Sequence, residues 1–525
     1  MNKLKLIFVV FTAIFALYFA AWTPDAIPTA ALLYGSGNQT LVFAKAEDAV
    51  TLDPAFLQDE NSARVSVNIF EGLVQFKPKS TDVFPCLAEN WRVSPDGREW
   101  TFYLRKNVRF HDGTPFNADA VRFSLERQMP PQATPEMAYA PFIFAPVDRI
   151  VTPDPYTVKF ILKYPYAPFL RNLAMPAAAP IVSPAAVQAA GSDFWKKPVG
   201  TGPFIFENWE NGKKIVLKAN ESYWGGTPQS GRLVFKVIKQ SRLRAMALKL
   251  GLVDVIEEIE PSDATYLEQK GIRVLRRPGV DINFLGFYTD KEPFNLQPVR
   301  KAVSMAIDTE HIVNVLYGGN AFVAKGPLPP GVLGHDEEIR QVSYDPQGAK
   351  ELLKRAGYSG GLKITLITYE STRPYNPAGG NKLSAAARED LAKAGIDVEV
   401  KSYPWEEYKK ALLEREGDGF FYGWISDNGD PDNFLYTLFS SSQIEGGLNA
   451  FHYHNKEVDL LLTQGQQETE PLLRQKLYRS AVREILLDTP CVFLNHSMLT
   501  AAVTPRVNGF VLNEVPLALN SVHKN

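Results

Sequence analysis

Two short segments carry side chains of complementary chemistry. Thr372-Arg373-Pro374-Tyr375-Asn376-Pro377 supplies a guanidinium, and the stretch from Gly423 to Phe434 (GWISDNGDPDNF) supplies carboxylates at Asp427, Asp430 and Asp432. A guanidinium offers a carboxylate two parallel N–H donors, and a carboxylate suits an ammonium. A ligand with one charge at each end needs one group of each kind. Trp424 and Tyr375 flank these charges, and their rings can wall a pocket, exclude water and strengthen ion pairs inside it. Each residue also has a plainer reading. Asp before Asn-Gly forms turns, Asp430-Pro431 reads as a turn or helix cap, an Arg after a strand is commonly solvated, and a Trp is commonly core.

Other chemistries find less support. An EF-hand calcium loop starting at Asp427 requires Gly at its sixth position and Glu at its twelfth, where this chain has Asp432 and Leu438. His452 and His454 would share one face of a strand, but no third metal ligand is evident beside them; the chain contains no HExxH and no CxxC. Asp427, Asp430 or Asp432 could serve a secreted hydrolase as acid and base, yet no G-x-S-x-G or other catalytic unit accompanies them. Gly200-Thr201-Gly202 lacks the following GK[ST] of a phosphate loop and reads as a turn. The expectation is a protein that is not an enzyme and has no cofactor or metal.

The elements around the two segments follow a strand–helix rhythm. Asp345-Pro346 opens a helix with Ala349, Leu352, Leu353 and Ala356 on one face and Gly357 past its end. A strand at 362–368, a helix near 382–394, a strand at 397–403, a helix near 405–416 and a strand at 419–424 follow. Such alternation favours a largely parallel sheet covered on both faces. Arg373 and Asp427 each lie just beyond a strand's carboxyl end, where open α/β sheets bind ligands. Earlier in the chain, Thr40 to Ala44 reads as a strand, residues 63–73 as a helix, and Ser94-Pro95-Asp96-Gly97 as a turn. The strand after that turn buries Trp100, Phe102 and Leu104, and Asn117 caps a helix over 118–128.

The chain has 525 residues, enough for two or three domains. Its formal net charge of −2 gives no basic field for nucleic acid. Lys3 and Lys5 precede the uncharged run Leu6 to Trp22, the pattern of an export signal, with a retained N-terminal membrane anchor as the alternative. Neither cysteine, Cys86 or Cys491, stands where a lipid would be attached after export, and both read as buried small apolar side chains. A periplasmic location is expected.

Leu87 to Gly113 (LAENWRVSPDGREWTFYLRKNVRFHDG) closely resembles the signature of the extracellular solute-binding protein family 5, which includes peptide receptors and a nickel receptor. Val199-Gly200-Thr201-Gly202-Pro203-Phe204 and Tyr223-Trp224-Gly225 look like further landmarks of that family. The TRPYNP and GWISDNGDPDNF segments resemble the binding loops of its dipeptide receptors, which feed ABC importers. The resemblance implies an α/β, two-lobed, hinge-connected fold of the type II periplasmic-binding-protein kind. Residues 1–38 would be signal and leader and 39–282 lobe one, with an extra subdomain at 75–190. Residues 283–499 would form lobe two, and 500–525 would return to lobe one. It implies that Asp427 takes a peptide's ammonium and Arg373 its carboxylate, with Trp424, Tyr375, Ser426 and Gly423 beside them and Asn61 of lobe one against the peptide backbone. A monomer working with a membrane permease is expected. The same fold could instead hold a longer peptide, haem, glutathione or a metal complex.

Overall fold

The strand Leu362–Tyr369 organises the second half of the molecule. It pairs in parallel with Ile396–Tyr403 along its whole length, from Leu362 opposite Ile396 to Tyr369 opposite Tyr403. On its other side it pairs in parallel with Gly419–Ile425, with Leu366 opposite Gly419. Parallel neighbours need crossover connections, and helices Gly380–Lys393 and Trp405–Leu413 supply them. The carboxyl ends of these three strands therefore share one edge. The preceding helix, Pro346–Arg355, is capped as its sequence dictates: the Asp345 carboxylate accepts from the Gly348 N–H at 2.8 Å, a contact worth roughly 1 kcal/mol.

This computed structural model describes residues 40–177 and 179–525; the expected export segment lies outside them. Among the described residues, no helix is long and apolar enough to cross a membrane.

The expectation of a largely parallel sheet gives way at the centre. Asp281–Phe287 runs antiparallel to Gly419–Ile425, and the 13-residue strand Cys491–Val503 runs antiparallel to Asp281–Phe287. The physical reason is connectivity, since one strand carries the chain out of the first lobe and the other brings it back. Cys491–Val503 serves both lobes. Its first part pairs with Asp281–Phe287 and Ala321–Val323. From Met498 onward it pairs with Arg273–Pro278 and Val255–Glu257. Val255–Glu257 in turn lies parallel to Thr40–Lys45, so one ladder runs through the whole molecule.

The crossing point is tightly built. The Gly279 N–H donates to the Ser497 carbonyl at 2.9 Å, and the buried Asp281 carboxylate accepts from the Ser497 N–H at 2.8 Å and from its hydroxyl. Burial lifts the Asp281 carboxyl to about 6. A Cβ at Gly279 would come within 2.7 Å of the Ser497 hydroxyl oxygen, so no larger residue fits there without displacing it.

Outside the long ladder, Ala88–Val93, Glu99–Leu104, Thr157–Leu162 and Val147–Asp154 form a four-stranded antiparallel sheet. Trp100, Phe102 and Leu104 are buried in it with Phe160 and Phe169, as the alternation in sequence predicts. Two sequence landmarks also find their physical reason. Glu71 is buried and accepts from the Tyr223 hydroxyl at 2.7 Å, Trp224 Nε1 at 2.9 Å and the Thr201 hydroxyl at 2.8 Å. Gly202 sits so close to the backbone of Ile69 that a Cβ there would lie 2.7 Å from the Ile69 carbonyl. Both cysteines are buried free thiols.

Candidate functional site

Asp427 lies on a turn that fixes its own neighbours. The Ser426 N–H continues the ladder to the Val280 carbonyl at 2.8 Å. The Ser426 hydroxyl accepts from the Gly429 N–H at 2.9 Å, and Asn428 Oδ1 accepts from the Asp430 N–H at 2.9 Å. Asp427 itself is half-buried, and its carboxylate accepts from the hydroxyl of Tyr139, which comes from the other lobe. Loss of water raises the Asp427 carboxyl to about 6; the Tyr139 hydrogen bond opposes that rise and the negative Glu60 adds to it. Among the described residues no cation pairs with it.

Arg373 is held by a two-way backbone bridge. Its N–H donates to the Asn376 carbonyl at 3.0 Å, and the Asn376 N–H donates back at 2.8 Å. Asn376 is fully buried and anchors this turn, accepting from the Tyr317 hydroxyl at 2.9 Å and donating to the Tyr369 hydroxyl at 3.0 Å. The guanidinium carbon of Arg373 lies 3.7 Å from the ring centre of Trp405. Trp405 in turn stacks on Tyr408 and Tyr422, at centroid distances of 5.5 and 6.2 Å. Arg373 Nε is buried and without a hydrogen-bond acceptor, and among the described residues the guanidinium has no carboxylate partner.

The remaining predicted residues take different stations. Tyr375 is only 4% exposed and lies under the sheet, its ring pressed on Gly423 so closely that a Cβ at 423 would overlap it. Its carbonyl accepts from Asn495 on the shared strand at 3.1 Å. It supports the strand that carries Asp427 from the core side. Trp424 is half-buried, with its Nε1 donating to Asn433 at 2.9 Å. Ser426 is 2% exposed and shapes the turn. Asn61 is half-buried in the first turn of helix Glu60–Ser66, and its carbonyl accepts from Lys45 Nζ at 3.0 Å. Lobe one thus brings acidic residues, Asp59 and Glu60, to the same end as Asp427, as the influence of Glu60 on Asp427 and of Asp59 on Tyr139 shows.

The other two aspartates of the cluster have separate duties. Asp430 has no exposed surface and receives a bidentate pair from Arg474, at 2.8 and 2.6 Å. Burial alone would raise its carboxyl, but the Arg474 guanidinium outweighs this and holds it below the ordinary range. Asp432, also buried, is pushed up to about 7 by burial and then by the negative Asp430. Asp430 also accepts from the Asp432 N–H at 3.0 Å and so caps helix Pro431–Phe439.

Sequence reasoning did not find Trp405 and Tyr139. Trp405 was within reach, because it follows the carboxyl end of Ile396–Tyr403 on the edge already singled out. Tyr139 stands just before the short helix Ala140–Phe144 and carries no local signature.

The fold has known counterparts. A sequence model described as bacterial extracellular solute-binding proteins, family 5 middle, matches residues 82–446. The chain belongs to that family. It is 33% identical over 505 residues to heme-binding protein A of Haemophilus influenzae, covering 91% of this chain and 90% of that protein. It is 33% identical over 468 residues to the dipeptide-binding protein of Escherichia coli, covering 85% and 87%. Among solved structures, it superposes with a TM-score of 0.77 on the ABC transporter-associated periplasmic binding protein DppA of Helicobacter pylori in complex with the peptide STSA. That pair is 34% identical, with 92% of this chain and 98% of the other covered. These family 5 relatives are binding proteins of two-lobed α/β build, and the architecture described above is theirs.

Proposed function

We propose that this chain is the periplasmic receptor of an ABC importer and that it holds dipeptides by their two charged ends. One observation carries the reading. Asp427 and Arg373 sit at the ends of strands on one sheet edge, each half-buried, and among the described residues neither has a counter-ion. Where the protein buries Asp430 fully it supplies a guanidinium, that of Arg474, at 2.6 Å. Unpaired, partly desolvated charges are costly and call for partners. A dipeptide brings an ammonium and a carboxylate separated by roughly two residue lengths of about 3.3–3.6 Å each. The relative named for dipeptides supports this assignment, and the complex with STSA, a four-residue peptide, supports a peptide cargo and equally the longer-peptide alternative. Haem, for which another relative is named, carries carboxylates and no ammonium. It would satisfy Arg373 and leave Asp427 unpaired.

The test is calorimetry on the exported chain, alongside mass spectrometry of whatever ligand co-purifies. Arg373→Ala should weaken free dipeptides by about 1.5–3 kcal/mol, the worth of hydrogen bonds to a charged group. C-terminally amidated dipeptides, already weak, should change little. Equal losses for both forms would remove Arg373 from its assigned role.

Affinity should also depend on pH. Asp427 titrates near 6 in the unliganded protein. An ammonium binds the ionised form, so protonation of the aspartate competes with the ligand. Affinity should therefore be flat above pH 7 and fall below pH 6, approaching a tenfold loss per pH unit. Binding should release a proton in that lower range, measurable as a buffer-dependent heat. The Asp427→Asn variant should lose this slope, and an unchanged slope would assign it to another group.

A further inference from the structure

Three residues of the first lobe grip the turn that follows Asp427. Arg171, on helix Phe169–Leu173, donates from Nη1 to the Thr81 carbonyl at 2.5 Å and to the Gly429 carbonyl at 3.4 Å. Its Nε lies 3.6 Å from Asp430 Oδ2. Next to it, Asn172 Oδ1 accepts from Asn428 Nδ2 at 2.7 Å, with both side chains fully buried. The side chain of Thr81 lies against Gly429, which has a φ of +61°; a Cβ at 429 would overlap the Thr81 methyl group. The grip is therefore made on a glycine that leaves space and adopts a backbone conformation other residues resist.

We infer that Asn428-Gly429-Asp430, clasped by Thr81, Arg171 and Asn172, is the contact that holds the two lobes shut. It begins one residue after Asp427, so capture at Asp427 and engagement of the clasp occur on the same rigid turn. The charge arrangement makes the clasp reversible. Asp430 keeps its bidentate Arg474 when the lobes part, so no buried carboxylate is left bare. Arg171 keeps the Thr81 carbonyl, with Asp82 at 4.0 Å. Only the cross-lobe contacts are exchanged for water. Such a device shifts the population of the shut state without touching the ligand.

This inference rests on the two-lobed fold, and only its affinity arm rests on the dipeptide reading. The experiment is small-angle scattering of the exported chain, alone and with saturating alanyl-phenylalanine, together with stopped-flow dissociation of that dipeptide. Arg171→Ala should expand the unliganded protein relative to wild type, and Gly429→Ala should do the same by wedging the contact. Circular dichroism identifies any variant that fails to fold, and Arg171→Lys provides a second substitution at the same position. Arg171→Ala should also raise the dipeptide dissociation rate roughly tenfold, in proportion to the lost shut population. It should do so equally for free and amidated dipeptides, because Arg171 acts on the lobes and not on the ligand's ends. Unliganded dimensions and dissociation rates matching wild type in both folded Arg171 variants would overturn the clasp. Wild-type failure to bind the dipeptide would remove the cargo and leave the scattering comparison to decide the clasp alone.

Discussion

Asp427→Asn is expected to weaken free dipeptides by about 2–5 kcal/mol, the usual consequence of deleting one partner of a desolvated, hydrogen-bonded charge pair. The substitution preserves volume, and its amide oxygen can still accept from Tyr139, so the change isolates charge. Dipeptides with an acetylated amino group provide the control: they should bind poorly to wild type and no worse to the variant. The unliganded variant should melt at or above the wild-type temperature at pH 7. The reason lies in the sign of the shift. Folding raises this carboxyl from its ordinary value to about 6, so ionised Asp427 opposes folding above pH 6, and an amide removes that opposition. Titration calorimetry and thermal melts read both effects. A variant that binds free dipeptide within threefold of wild type would exclude Asp427 as the ammonium partner.

Arg474→Met is expected to destabilise the protein by about 3–5 kcal/mol, because it leaves a buried carboxylate largely uncompensated. Asp430 has no exposed surface, and its other guanidinium, Arg171, stands farther off at 3.6 Å. Adding Asp430→Asn should restore much of the loss, since an apolar and a neutral residue together bury no net charge. The single variant should also recover as pH falls. Without Arg474, burial raises the Asp430 carboxyl, and its protonation then removes the offending charge. Urea denaturation followed by circular dichroism at pH 7 and pH 5 measures both trends. A single variant as stable as wild type at pH 7 would show that the pair has no net role in the fold.

The sequence revealed what local pattern controls. The helices between 345 and 425 each bury one face, the first is capped by Asp345, and Ile396–Tyr403 begins with alternating buried and exposed residues, so the types and order of the elements were readable. The strand-end rule then placed Arg373 and Asp427 on one edge, and the parallel pairing of Leu362–Tyr369 with Gly419–Ile425 agrees with it. What stayed hidden depends on distant partners. Asp430 looks like a third candidate ligand contact until Arg474, 44 positions away, is seen to occupy it. Tyr375 looks like a pocket wall beside Arg373, yet the backbone bridge from Arg373 to Asn376 turns its ring down onto Gly423. Tyr139 meets Asp427 from more than half the chain away, and no periodicity encodes such a meeting. The antiparallel central strands were missed for a related reason, because direction at a crossing is a property of the whole path.

The strand Cys491–Val503 follows all the other strands of the ladder in sequence, yet it sits in the middle of the ladder. During synthesis, neither half of the sheet can be finished until this strand has been made, and its Asn495 meets Asn283 across 212 positions. Long-range closure of this kind slows folding. The late arrival of this keystone leaves the ladder open at its centre until then.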